Sequence, residues 1–287
     1  MRRWQPRFVS SLAALVVPVL FIPPAPGAIG TFHRTLHVSG PILLRVHTAS
    51  GYIHVRPGPA GEVHIVGHIH AAGVAYGQAA ADRVQRVLGH PPIQQDARII
   101  TIGRHLKGTS NVVINYDITA PRGSQLEATT GSGNLRLSGL DGPLRAFTGS
   151  GNIQATDFTG HVWLRCGSGG IHADLEGAND VMARTGSGAI RIRGINGPLL
   201  ADAGSGDIHV AGRPAGDWLV HTGYGEVALN VGHAPFVLEA TTGSGWIYSK
   251  AAISTHCILE RHHITGKGNG GGPTVRVETG YGDIRIH

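Results

Sequence analysis

The chain has 287 residues, of which 44 are Gly and 16 Pro; charged types make up 15% and hydrophobic types 41%. That apolar fraction is too high for a disordered polymer, and without Gly at every third position the chain is not collagen. Three of the six net positive charges, Arg2, Arg3 and Arg7, fall in the first 28 residues, and the +3 left for the rest is too mild for a committed nucleic-acid binder.

In chain order, residues 1–28 come first and read as an export signal: three arginines, an apolar run over 8–22, then small residues and prolines to Ala28. Ser10, Ser11 and Pro18 interrupt the run, which is shorter than the ~20 residues of a spanning helix. Cleavage near Ala25 or Ala28 is expected, giving a mature chain that is periplasmic, on the cell surface or secreted.

Residues 29–123 read as strands at 32–38, 43–46, 52–55 and 63–69, with the Pro-Gly-Pro-Ala-Gly stretch 57–61 as a hairpin loop. A short helix is predicted over 78–88, because Val84, Val87 and Leu88 share a face and Gly89 can end it. Strands return at 99–102 and 112–118. This is the irregular N-terminal part of one domain, 29–287, whose regular part spans 124–287.

The regular part repeats. Gly-Ser-Gly or Gly-Tyr-Gly begins at Gly131, Gly149, Gly167, Gly186, Gly204, Gly223, Gly243 and Gly280, at intervals of 18 to 20 and finally 37. Apolar or small residues stand five, three and one before each first glycine, and four and six after it, as in Leu144, Ala146, Thr148, Ile153 and Ala155. Period-two alternation on both sides of a glycine corner describes two short strands facing one interior. Each unit is then one coil of an all-β, parallel β-solenoid (β-helix), with successive coils about 4.8 Å apart. A β-sandwich would not space its strands so regularly. Ile190 is placed in the core between Ile171 and Ile208. Cys166 and Cys257, separated by about four coils, are expected to stay free thiols.

The Ser50-Gly51-Tyr52-Ile53 element, the Tyr116-Asp117-Ile118-Thr119-Ala120-Pro121 strand exit, the Gly-Ser-Gly corners and the closing Thr279-Gly280-Tyr281-Gly282-Asp283-Ile284 resemble DUF4097, a bacterial family of candidate adhesins. The resemblance covers nearly all of the mature chain. It implies a β-solenoid on an envelope or secreted protein and supplies no catalytic residue. Tyr224 and Tyr281, at the corner Ser position, and the eroded coil over 251–273 depart from the pattern.

Four constellations carry chemistry. Asp207 and Glu226 lie on successive corners and are the only candidates for a carboxylate pair, as a β-helix enzyme acting on polysaccharide would need. His54, His64 and His68, with His70 nearby, are the candidate metal ligands: across the 57–61 hairpin His54 would face His64. An exposed His-rich strand face is the competing account. Arg136, Gln154, His172, Arg191 and His209 recur five residues after the corner and predict a basic stripe up one sheet, with Phe147 and Trp163 as aromatic platforms. The Gly-Ser-Gly-Asp at 204–207 lacks the nine-residue period of calcium-binding rolls. The expected protein is a non-enzymatic binding or scaffolding module without cofactor. Its expected partner is an anionic glycan, a lipid surface or another envelope protein, and no specific nucleic acid.

Overall fold

The computed structural model describes residues 29–71, 78–103, 112–178, 180–251, 253–260 and 262–287; the export signal expected at 1–28 lies outside them. The chain opens with β1 (Ile29–His37), β2 (Leu43–Ser50), β3 (Ile53–Pro57), β4 (Glu62–Ala71), α1 (Gln78–Gly89), β5 (Ile93–Asp96), β6 (Ile99–Ile102) and β7 (Val112–Ala120). It then makes one strand before and one after each glycine corner. These are β8 (Gln125–Ser132) and β9 (Leu135–Ser138), β10 (Leu144–Ser150) and β11 (Ile153–Thr156), and β12 (His161–Ser168) and β13 (Ile171–Ala178). They continue as β14 (Asp180–Ser187) and β15 (Ile190–Asn196), β16 (Leu199–Ser205) and β17 (Ile208–Arg213), and β18 (Trp218–Tyr224) and β19 (Val227–Asn230). The chain closes with β20 (Phe236–Ser244), β21 (Ile247–Ser249), β22 (Ile253–Glu260), β23 (His263–Gly268), β24 (Thr274–Tyr281) and β25 (Ile284–Ile286).

The strands after the corners form sheet 1, in the order β1-β4-β7-β3-β9-β11-β13-β15-β17-β19-β25-β21. Those before the corners form sheet 2, in the order β22-β23-β20-β24-β18-β16-β14-β12-β10-β8-β2-β6-β5. Coil stacks on coil in parallel register: Leu144 lies between Leu126 and Val162, and Ile190 between Ile171 and Ile208. This is the parallel β-solenoid, and Ile190 is fully buried as its register requires. The inward columns are buried along the whole stack except Ile247 and Ser249, which belong to the coil at its end.

The corners hold the sheets together. Gly149 admits no side chain, because a Cβ there would stand 2.5 Å from the Gly131 carbonyl oxygen of the coil beneath, and Gly151 has a φ of 138° that other residues rarely adopt. Just before most corners a buried hydroxyl donates to the neighbouring coil, Thr148 to the Gly133 carbonyl, Thr185 to Gly169 and Thr222 to Gly206, each at 2.9 Å, while Ala203 fills the place before Gly204 without a donor. Cys166 takes that place in its own coil, its thiol 3.0 Å from the Gly151 carbonyl. It is a free, buried thiol, while the Cys257 side chain lies outside the described residues.

Two expectations about neighbours are corrected. β3 and β4 do not pair across 57–61: β3 has parallel partners on both edges, β7 and β9, and β4 lies antiparallel on the far side of β7. The coils also do not stack in strict chain order. The β2–β3 coil sits between the β6–β7 strands and the β8–β9 coil, and at the other end β24–β25 sit between β18–β19 and β20–β21. The stretch read as an eroded coil is an antiparallel hairpin, β22–β23, covering the outer edge of β20. The predicted helix is present as α1, with Val84 and Val87 buried and Val84 and Leu88 against Gly30 of β1.

Candidate functional site

On the outer face of sheet 1 the residue five after each corner glycine forms one ladder. His54, Arg136, Gln154, His172, Arg191 and His209 occupy successive rungs in register. Arg136 Nε donates to Gln154 Oε1 at 3.3 Å, and His172 Nε2 is 2.8 Å from the Asp174 carboxylate. Arg191 and, two residues on, Arg193 are exposed and make no ion pair among the described residues. With His209, Asn230 and His287 they line a shallow depression of about 310 Å³. The sequence reading missed Arg193, His287 and Asn230, because their nearness to the ladder depends on the second outward column.

The histidines expected to bind metal are placed differently. With β7 between β3 and β4, the carboxylate of Asp117 takes both His54 Nδ1, at 3.1 Å, and His68 Nε2, at 3.3 Å. His64 turns instead to Glu62, 3.0 Å away, and to the Thr35 hydroxyl. Among the described residues no group of three or more His, Cys, Asp or Glu is arranged to hold a metal ion. Tyr52 donates its hydroxyl to the same Asp117 carboxylate at 2.9 Å, and partial burial together with that carboxylate pushes the phenol above its ordinary range. Tyr52, His54, Asp117 and Arg136 thus share a groove of about 510 Å³ at one end of the ladder.

Phe147 and Trp163 cannot serve as platforms for this ladder. They lie on β10 and β12 of sheet 2, whose outer face is on the opposite side of the core. There each ring carries a guanidinium: Arg145 Cζ is 5.9 Å from the Trp163 ring centre and Arg165 Cζ 6.0 Å from that of Phe147.

The corner carboxylates have structural partners. Asp207 Oδ1 accepts the Glu226 backbone N–H at 2.9 Å, and Glu226 is bonded to Arg285. Asn134 and Asn152, four and three corners earlier, accept the same kind of backbone bond, from the Asn152 and Gly170 N–H groups. The two corner tyrosines, 57 residues apart in sequence, become neighbours because β24 lies beside β18; their rings stack at 5.0 Å, 1° from parallel.

The family model described as Toastrack DUF4097 matches residues 93–287. Among solved structures, the chain is similar to a candidate cell adhesion protein from Clostridium sporogenes, at 12% identity and a TM-score of 0.29 over 90% of this chain and 99% of that one. It is also similar to a candidate adhesin from Bacteroides fragilis, at 13% identity and a TM-score of 0.31 over 90% and 97%. No curated protein sequence matches the chain significantly. The family match spans more than half of the chain and takes in every regular coil, so this protein belongs to the Toastrack DUF4097 family.

Proposed function

We propose that the chain is an exported, non-enzymatic binding module that holds an extended anionic polymer, such as an acidic glycan, along the outer face of sheet 1. The observation that carries this reading is the register of the ladder. Arg136, Arg191 and the flanking Arg193 stand on a rigid frame with a repeat of about 4.8 Å and form no ion pair among the described residues; Asp174, beside Arg193 in register, is taken by His172. Export rests on the signal-like composition of residues 1–28. The competing reading, a β-helix enzyme acting on polysaccharide, needs Asp207 and Glu226 as a free acid–base pair. Their bonds to a backbone amide and to Arg285 favour a structural role for both.

Heparin serves as a model polyanion for the test. Arg136→Ser combined with Arg191→Ser should weaken its binding roughly tenfold and make the dependence on salt shallower. Both side chains are exposed, so the far-ultraviolet circular dichroism should not change. Unaltered affinity in the folded double variant would remove sheet 1 as the binding face.

A further inference from the structure

We propose that the groove at the β3 end of the ladder is a subsite for one uronic acid unit, holding its carboxylate and the oxygens beside it. The inference rests on the reading of sheet 1 as a glycan face and names the unit bound there. Three rungs, β3, β9 and β11, build the groove, and each presents two side chains to it. One row is His54, Arg136 and Gln154; the other, formed by the residues just before each strand, is Tyr52, Asn134 and Asn152. Two intervals of ~4.8 Å make the rows about 10 Å long. The volume of about 510 Å³ lies in the ordinary range for a small-molecule site. Beyond Asn152 the second row continues as Gly170, Ala189 and Asp207. The amides are therefore a property of the groove and not of the repeat.

The hydrogen bonds already made in the groove select the occupant. Among the described residues Asp117 is the one carboxylate lining it, and Tyr52, His54 and His68 all bond to that carboxylate. The amide oxygens are engaged as well: that of Asn134 accepts the Asn152 N–H, that of Asn152 the Gly170 N–H, and that of Gln154 accepts from Arg136 Nε. This leaves three amide NH₂ groups and the two terminal nitrogens of Arg136 as donors without a partner among the described residues. His54, its Nδ1 held by Asp117, adds Nε2, which donates whenever the ring is protonated. Arg56, two residues beyond His54, is exposed and forms no ion pair among the described residues. Arg136 and Arg56 thus outweigh Asp117, and beyond the groove Glu62 and Asp174 are held by His64 and His172. A lone phosphate would engage Arg136 and leave the amides on the flanking rungs unfilled. A peptide carries a backbone N–H for nearly every carbonyl and would find no open carboxylate for them. A uronic acid matches the set: its planar carboxylate meets the end of the guanidinium fork, and its hydroxyl and ring oxygens meet the amides. Its C–H face packs on Tyr52, which is 38% exposed.

The test is calorimetric titration of residues 29–287, which contain every described element, with trimers of galacturonate, glucuronate and mannuronate. At least one trimer should bind, and its carboxyl-reduced, neutral form should not. Tyr52→Ala and Gln154→Glu should each weaken that binding roughly tenfold with the melting curve unchanged, the second because it sets a carboxylate where the unit's oxygens need a donor. Arg191→Ser, two rungs beyond Gln154, should leave trimer binding as it was while lowering the affinity for heparin. Equal binding of the neutral trimer would overturn the proposal, as would trimer binding that neither groove variant weakens. If no trimer binds while heparin binds and is weakened by the Arg136 and Arg191 changes, the subsite falls and the polymer reading stands. If neither the trimers nor heparin bind, both fall.

Discussion

Where a threonine stands before a corner, its hydroxyl does work that an apolar side chain of the same size cannot do. Thr148 is fully buried and donates to the Gly133 carbonyl, tying one coil to the next at the point where the backbone turns. Thr148→Val keeps the shape and removes the donor, leaving a carbonyl without a partner in the dry interior. The expected cost is about 1–3 kcal/mol, seen as a lower urea midpoint with an unchanged slope. A larger effect would point to a packing defect instead. Cys166 in the same column is a weaker donor, and burial pushes its thiol above the ordinary range, so little thiolate exists near neutral pH. From the sequence the column is legible only as small residues beside a corner. The accepting carbonyl lies fifteen residues away on another coil, where no local pattern points to it.

Strands were the most legible elements, because each carries its own alternation and its own glycine corner. Ile190 illustrates this: two glycines and a period of two place it inward, and it is fully buried between Ile171 and Ile208. Ile190→Asp puts an unpaired charge there at a cost of several kcal/mol, a large share of the stability of an ordinary domain. Thermal melts followed by circular dichroism should lose their cooperative transition, and a melt like that of the unsubstituted chain would contradict the register. Pairing between strands was less legible. The loop over 57–61 satisfies the local rules of a hairpin, yet the 112–120 strand, whose position is set by the whole stack, takes the edge that the loop seemed to offer. For the same reason the basic ladder was legible as a ladder, while the placement of Phe147 and Trp163 beside it was not. Residues before and after a corner face opposite sides of the molecule.

The whole molecule is a two-faced slab: one outer face bears a ladder of arginines and histidines, the other a run of apolar side chains, Trp163, Met182, Leu200 and Leu219, with charges of both signs beside it. Its ends are also managed. A solenoid with bare terminal coils would offer long strand edges to other copies, and here the outermost strands of the stack are the short β5 and β21 and the members of antiparallel pairs, β1 and β22. The threading of β24–β25 between earlier coils makes that segment internal to the stack. Removing residues 274–287 should therefore do more than fray an end. It empties a layer that contacts β18 and β19 on one side and β20 and β21 on the other. Limited proteolysis should then cut between 230 and 260 in a chain that is resistant when intact, and continued resistance would mean that the coils close over the gap.

That threading also gives the repeat a specific way to fail. The strands 218–224 and 236–244 carry the same inward pattern, Trp218 and Val220 against Leu238 and Ala240, so they are competent to pair with each other before 274–281 arrives between them. Such a premature pairing satisfies every local preference and excludes the one segment that belongs there. Reaching the native order then requires an already formed ladder to open. The similarity between coils that makes the stack strong is thus a source of kinetic error during folding, concentrated at a single layer, and a slow refolding phase abolished by removing 274–287 would be its signature.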